Sequence, residues 1–246
     1  MKTLLLSGWT SNPAAVLCCA AGAALYFVLF GASRRAWFLA AAEAVVLLAL
    51  ASPVNALADG YLFSAHMLQH ILLLLVAPPL LLASLPPTVS FPMHPVAGWL
   101  AGVGAMWFWH APALCDAAAA SRPIHAVQTL SLLALGSAFW LQILAPCESR
   151  RLRPLPAVLY LFTACTACSV LGIILTFSPV TICSRYMHPV DRLGIAGLLN
   201  GWGMTMNRDQ QIGGLLMWVP MCFLYLCAIF SQFARWYGER DAEPTI

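Results

Sequence analysis

"SAHMLQHILLLLVAPPLLL", residues 64–82, decides the fold. Leu, Ile, Val and Ala fill most of it, and it is long enough to cross a bilayer, which takes ~20 apolar residues. Within it stand His66 and His70, four residues apart and so on one face of a helix. Pro78-Pro79 sits further along the same stretch. The two prolines withhold N–H groups from the carbonyls near Leu74 and Leu75, so the helix is expected to kink there.

The composition of the whole chain agrees with this reading. It is 61% hydrophobic and 9% charged, with a mean hydropathy of +0.83. A soluble domain would carry about 25% charged residues. Apolar runs predict seven spans, at 13–31, 36–53, 62–84, 96–114, 124–144, 155–177 and 213–234. The expected fold is therefore all-α: one integral membrane domain over residues 1–246, a bundle of seven transmembrane helices. Asn12-Pro13 reads as a cap followed by a first-turn proline, Pro86-Pro87 ends the third span, and Pro154 and Pro156 open the sixth. Segment 178–212 is too polar to span, and a short surface helix is expected around Val190 to Leu199. The N-terminal MKTLLLSGWTSNP lacks a long apolar region and a small-residue cleavage site, so the first span is expected to stay attached. The net charge of +3 carries no nucleic-acid signal.

Basic residues set the orientation. Arg34, Arg35, Arg150, Arg151, Arg153, Arg235 and Arg240 share one side by alternation, and Lys2, Arg122, Arg185, Arg192 and Arg208 share the other. The N-terminus is therefore expected outside and the C-terminus in the cytoplasm. The same alternation gathers polar residues at one face. His66 and His70 start span 3, His110 ends span 4, His125 starts span 5, and Asp209, Gln210 and Gln211 precede span 7. This face is the outer one in the expected orientation. On span 7, Gln210, Gly213, Gly214, Met217 and Met221 share a side, and the glycines allow close helix approach.

Neutral imidazole is the commonest metal ligand, and thioether or thiolate sulfur favours Cu(I). His66, His70, His110 and His125 are the candidate ligands, with Met67, Cys115, Asp116, Asp209, Gln210 and Met217 as further ligands or as partners that orient an imidazole. The plainer reading of any one such histidine is an interfacial side chain bonded to a backbone carbonyl. Against it stands their gathering at one face, where intramembrane ionisable groups are functional by default. His94, in the opposite loop, reads as structural, and His188 is undecided. The nine cysteines are mostly buried in apolar runs, and their odd number argues against a disulfide framework. Cys165 and Cys168 lie at membrane depth, where packing is the expected role.

Three stretches, "HMLQHILLLLVAPPLLL", "WFWHAPALCDAAAASRPIHAVQ" and "DQQIGGLLMWVP", together resemble the CtaG-type cytochrome c oxidase assembly factors, bacterial seven-helix membrane proteins. The resemblance runs from about residue 55 to residue 235. It implies a role in maturing a haem–copper oxidase in the bacterial inner membrane, delivering copper at the outer face to an oxidase subunit. The motif positions it carries over are His66, His70, Trp109, His110, Pro112, Asp116, His125, Asp209 and Gln210. The chain departs from the family pattern at Cys115, where a Tyr is usual, at Thr129, where a second His is common, and at 181–183, where Thr-Ile-Cys stands near the usual Tyr. Two other readings compete with a non-enzymatic copper carrier. One is a b-type haem electron carrier with His70 and His125 opposed. The other, ranked last, is a metal-dependent enzyme with Asp116 or Asp209 as base. Expected partners are the bilayer and the oxidase subunit, with self-association left open.

Overall fold

In the computed structural model the described residues are Trp9, 12–187, Asp191 and 193–241, and they are helical with no strand among them. His188, Lys2, Arg192 and the start of the expected 190–199 surface helix lie outside the described residues.

Helix α1, Pro13–Phe30, begins as its sequence predicts: the Asn12 side chain accepts from Ala15 N, and Pro13 takes the first helical position. It stops at Gly31, whose φ of 68° suits only a residue without Cβ. Helices α2, Ala36–Ala51, and α3, Pro53–Ala58, form one apolar rod interrupted at Pro53. Ser52 bridges the break, its hydroxyl donating to Leu48 O and accepting from Val54 N.

The stretch quoted at the outset makes α4, Phe63–Ile71, then a π-helical turn at Leu72–Val76, then α5, Ala77–Ser84. The predicted kink is this wide turn. Pro78 and Pro79 supply no N–H to Leu74 O and Leu75 O, and the backbone loosens just ahead of them. A neighbouring helix, Arg122–Leu144, uses the opening: a Cβ on its Gly136 would stand 2.6 Å from Leu74 O.

The fourth predicted span is shorter than expected. Helix α6, Pro95–Trp109, is followed by a turn and then by α7, Pro112–Ala120. Pro112 is the cause. It pushes Ala111 into extended backbone, ψ 128°, and the helix cannot run to residue 114. Six helical segments are long and apolar enough to cross a membrane: Pro13–Phe30, Ala36–Ala58, Phe63–Ser84, Arg122–Leu144, Pro154–Phe177 and Met206–Glu239. The chain is thus a multi-pass, all-helical membrane protein. Helix α8 is Arg122–Leu144 and α9 is Pro154–Phe177, opened by its prolines as expected. A short helix, α10, Ala196–Gly201, falls at the far end of the expected surface helix.

The last helix, α11, Met206–Asp241, starts a full turn and more before the predicted 213. No breaker intervenes, and Thr205 Oγ1 accepts from Arg208 N at its start. Asp209 and Gln210 therefore lie inside the first turns of α11 and not in a loop before it. The expected close approach through Gly213 and Gly214 is present: a Cβ on Gly213 would meet Phe63 and Met67 of α4, and one on Gly214 would meet Thr176 of α9. Helix α11 is thereby wedged between the histidine-bearing helix and α9. Large apolar side chains such as Val28, Phe162, Phe223 and Phe230 face outward, as lipid contact requires.

Candidate functional site

One end of the bundle brings together the histidines of three chain segments. Their ring contacts run in a chain: His125 to His66 at 5.8 Å between centroids, His66 to His70 at 4.5 Å, and His70 to His110 at 5.0 Å. His66 and His70 share a face of α4, His110 closes α6, and His125 lies in the first turn of α8. His66 and His70 are each 1% exposed and His110 is 4% exposed. The rings of the four predicted histidines thus follow one another at centroid distances under 6 Å.

Their hydrogen bonding is incomplete. Among the described residues, neither ring nitrogen of His66 or of His70 has a hydrogen-bond partner. Gln69 approaches His66 and Gln128 approaches His70, but neither contact reaches hydrogen-bond geometry. Buried polar atoms without partners are rare in proteins and costly, about 1–3 kcal/mol each. His110 differs: its Nδ1 lies 2.5 Å from Met106 O and its Nε2 lies 3.1 Å from Met67 Sδ. A carbonyl accepts only, so the proton of a neutral ring belongs on Nδ1 and the Nε2 lone pair faces the thioether. Two electron-pair donors then point at each other across 3.1 Å.

Two imidazoles sharing a metal at bonds of about 2.0 Å have ring centres about 5 Å apart. The separations of 4.5, 5.0 and 5.8 Å bracket this spacing. Among the described residues, however, no three His, Cys, Asp or Glu side chains form a metal-holding group as they stand.

The remaining predicted residues do other work. Asp209 reaches across to α4 and accepts from Phe63 N at 2.6 Å, Ser64 N at 3.1 Å and Ser64 Oγ at 2.5 Å. Leu62, at the cap position of α4, has no side chain that caps it. Asp209 is thus the N-cap of the histidine helix, supplied from a distant part of the chain, and its negative charge suits that end. Gln210 ties the 180–182 segment down, accepting from Ile182 N and donating to Leu175 O and Val180 O. Asp116 accepts from Ser184 Oγ and Arg185 N. Met217 is fully buried in the apolar core, about two turns along α11 from Asp209.

Cys115 is corrected outright as a candidate ligand. It forms a disulfide with Cys183, and a sulfur in that bond offers no thiolate. The odd cysteine count argued against a framework, and one bridge with seven free thiols is not a framework. Maleimide mass-tagging of the denatured protein is expected to label seven cysteines without reductant and nine with it. Equal labelling in the two states would contradict the bridge.

The bridge and Asp116 hold the turn at Ser184–Met187, a 3₁₀ helix, against α7. That turn places Tyr186 beside the cluster, its ring 6.0 Å from His66 and its hydroxyl donating to Ala58 O. Burial pushes this phenol well above its usual range, so it stays a neutral donor. Nothing in the loop sequence singled Tyr186 out. Gln69 and Gln128 carried a signal, being amides inside apolar spans. Asp59, electrostatically coupled to His125, carried another as an acid just before the histidine helix. His66 is the ring that contacts both His70 and His125, the two expected to oppose each other in a haem carrier.

No curated protein and no solved structure matches the chain. A family model does, over residues 24–92 and 87–239, and it is that of the cytochrome c oxidase caa3 assembly factor. These matches take in the whole histidine cluster, Asp116, Asp209 and Gln210, and on that footing the chain belongs to the Caa3_CtaG family of cytochrome c oxidase assembly factors.

Proposed function

We propose that the chain carries a copper ion at its histidine cluster and passes it, without catalysing a reaction, to a subunit of a caa3-type oxidase. The observation behind this is the set of unpaired donors: both nitrogens of His66 and of His70, and the His110 Nε2 facing Met67 Sδ. Neutral imidazoles with a thioether suit Cu(I). His66, His70, His110 and Met67 would hold the ion, with His125 at the mouth. The side chains must rotate to converge on it, because as they stand they do not. Neutral ligands in a half-formed set bind loosely enough to give the ion up. Transfer is ligand exchange, toward a partner site with more or better-placed donors.

Seven passes in one membrane domain, with the N-terminus outside, fit this reading. Helix α6 runs from His94 to His110, from the arginine end to the histidine end, at ~22 Å for its 15 residues. At the arginine end, Arg35 donates to Ala83 O and Leu85 O, and Arg151 to Ala145 O. These clusters belong on the cytoplasmic side by the positive-inside rule. The histidines then face the outside of the bacterial inner membrane.

The test is in cells. His66→Ala/His70→Ala in place of the wild-type chain is expected to lower copper in the purified oxidase at least tenfold, with its polypeptides still made and inserted. Normal oxidase copper in that strain would count against the proposal.

A further inference from the structure

A cleft of about 1280 Å³ runs along the membrane-spanning part of the protein, between α1 and α2 on one side and α8 on the other. Its lining extends from Asn12, Asp59, His66 and His125 at the histidine end to Ser84, Leu85, Phe91 and Met93 at the other. Helix α1 alone is 18 residues, ~27 Å, so the cleft is nearly as long as the hydrocarbon is thick, about 30 Å. Its walls carry outward-facing Leu25, Leu29 and Leu130.

One acidic residue stands on the cleft wall away from its ends. Glu43 lines it, seven residues after Ala36 at the start of α2 and so ~10 Å into the membrane. Its carboxyl has no hydrogen-bond or ion-pair partner among the described residues. Gly22 faces it from α1, where a Cβ would stand 3.8 Å from Glu43 Oε1, so the bundle leaves space beside the acid. Ionisable groups at this depth are costly and are retained where something pairs with them. An acyl chain offers no donor. A helix crossing the membrane offers one whenever it bears a basic, hydroxyl or indole side chain at that height.

We infer that the cleft seats a transmembrane helix of the oxidase subunit that receives the copper, with a donor side chain on that helix meeting Glu43. The inference rests on the delivery reading above and adds the docking surface to it. His66 and His125 form the end wall of the cleft, so a helix lying there comes beside the ligands themselves.

Photo-crosslinking tests this in membranes that contain both the chain and its oxidase. A diazirine amino acid is placed at Leu25 or Leu130, inside the cleft, or at Phe162 of α9, exposed but outside it. The expected result is adducts to one oxidase polypeptide from positions 25 and 130 and none from 162. Glu43→Leu is expected to lower that yield at least tenfold, and the near-isosteric Glu43→Gln to lower it less. Detergent-extracted protein that remains monodisperse shows that either variant has folded. Adducts to lipid only, to a second copy of the chain, or to an unrelated protein overturn the inference, as does a yield indifferent to Glu43→Leu. Copper measured on the oxidase of the same membranes, with His66→Ala/His70→Ala as the reference, reads the delivery proposal separately. Docking without delivery, or delivery without docking, is therefore distinguishable.

Discussion

Asp209→Ala is expected to lower the thermal unfolding midpoint of the detergent-solubilised protein by roughly 10 °C, given about 2–4 °C per kcal/mol for chains of this size. The size follows from what the carboxylate holds. It accepts from Phe63 N, Ser64 N and Ser64 Oγ, at 2.6, 3.1 and 2.5 Å, and it is itself 2% exposed. Alanine leaves these donors buried without an acceptor, at about 1–3 kcal/mol for each such group. It also removes the side chain that caps α4, whose first turn carries His66. Asp209→Asn keeps one oxygen and is expected to fall between wild type and alanine. A midpoint within a degree of wild type for Asp209→Ala would remove the capping role.

The second large effect has the opposite sign. His66→Leu/His70→Leu is expected to raise the unfolding midpoint of the metal-free protein, by several degrees, while abolishing copper delivery. Both nitrogens of each ring are buried and have no hydrogen-bond partner among the described residues. Leucine of similar size removes polar atoms whose burial costs about 1–3 kcal/mol per unsatisfied group and replaces them with apolar contact. Histidines kept only to hold helices together would behave the other way, and their loss would destabilise. A lowered midpoint would assign these residues to structure. A raised one shows stability given up at a site for function.

Much of this is legible in the amino-acid sequence. The H-x-x-x-H spacing placed His66 and His70 on one face, and alternation of the spans brought His110 and His125 to the same end. The Pro78-Pro79 pair announced the loosened turn at 72–76, and Gly213-Gly214 announced the close packing of α11. These are local signals, set by periodicity and by residues with restricted backbones. What the sequence hides depends on contacts between distant segments. Nothing around Asp209 in the sequence shows that it caps a helix 146 residues away. The bridge between Cys115 and Cys183 spans 68 residues, and spacing alone says nothing about which cysteines meet. Tyr186 reaches the cluster only because that bridge and Asp116 fold its loop back. Pro112 is a different case. It was legible as a helix stop, but the apolar run around it outweighed it.

The most direct test of the central claim is copper content by mass spectrometry on the protein purified from copper-replete cells, beside His66→Ala/His70→Ala prepared in the same way. A haem spectrum is recorded on both. The account predicts near-stoichiometric copper in the first, none above background in the second, and no Soret band in either. Equal copper in both preparations, no copper in either, or a Soret band that the double substitution removes would contradict it.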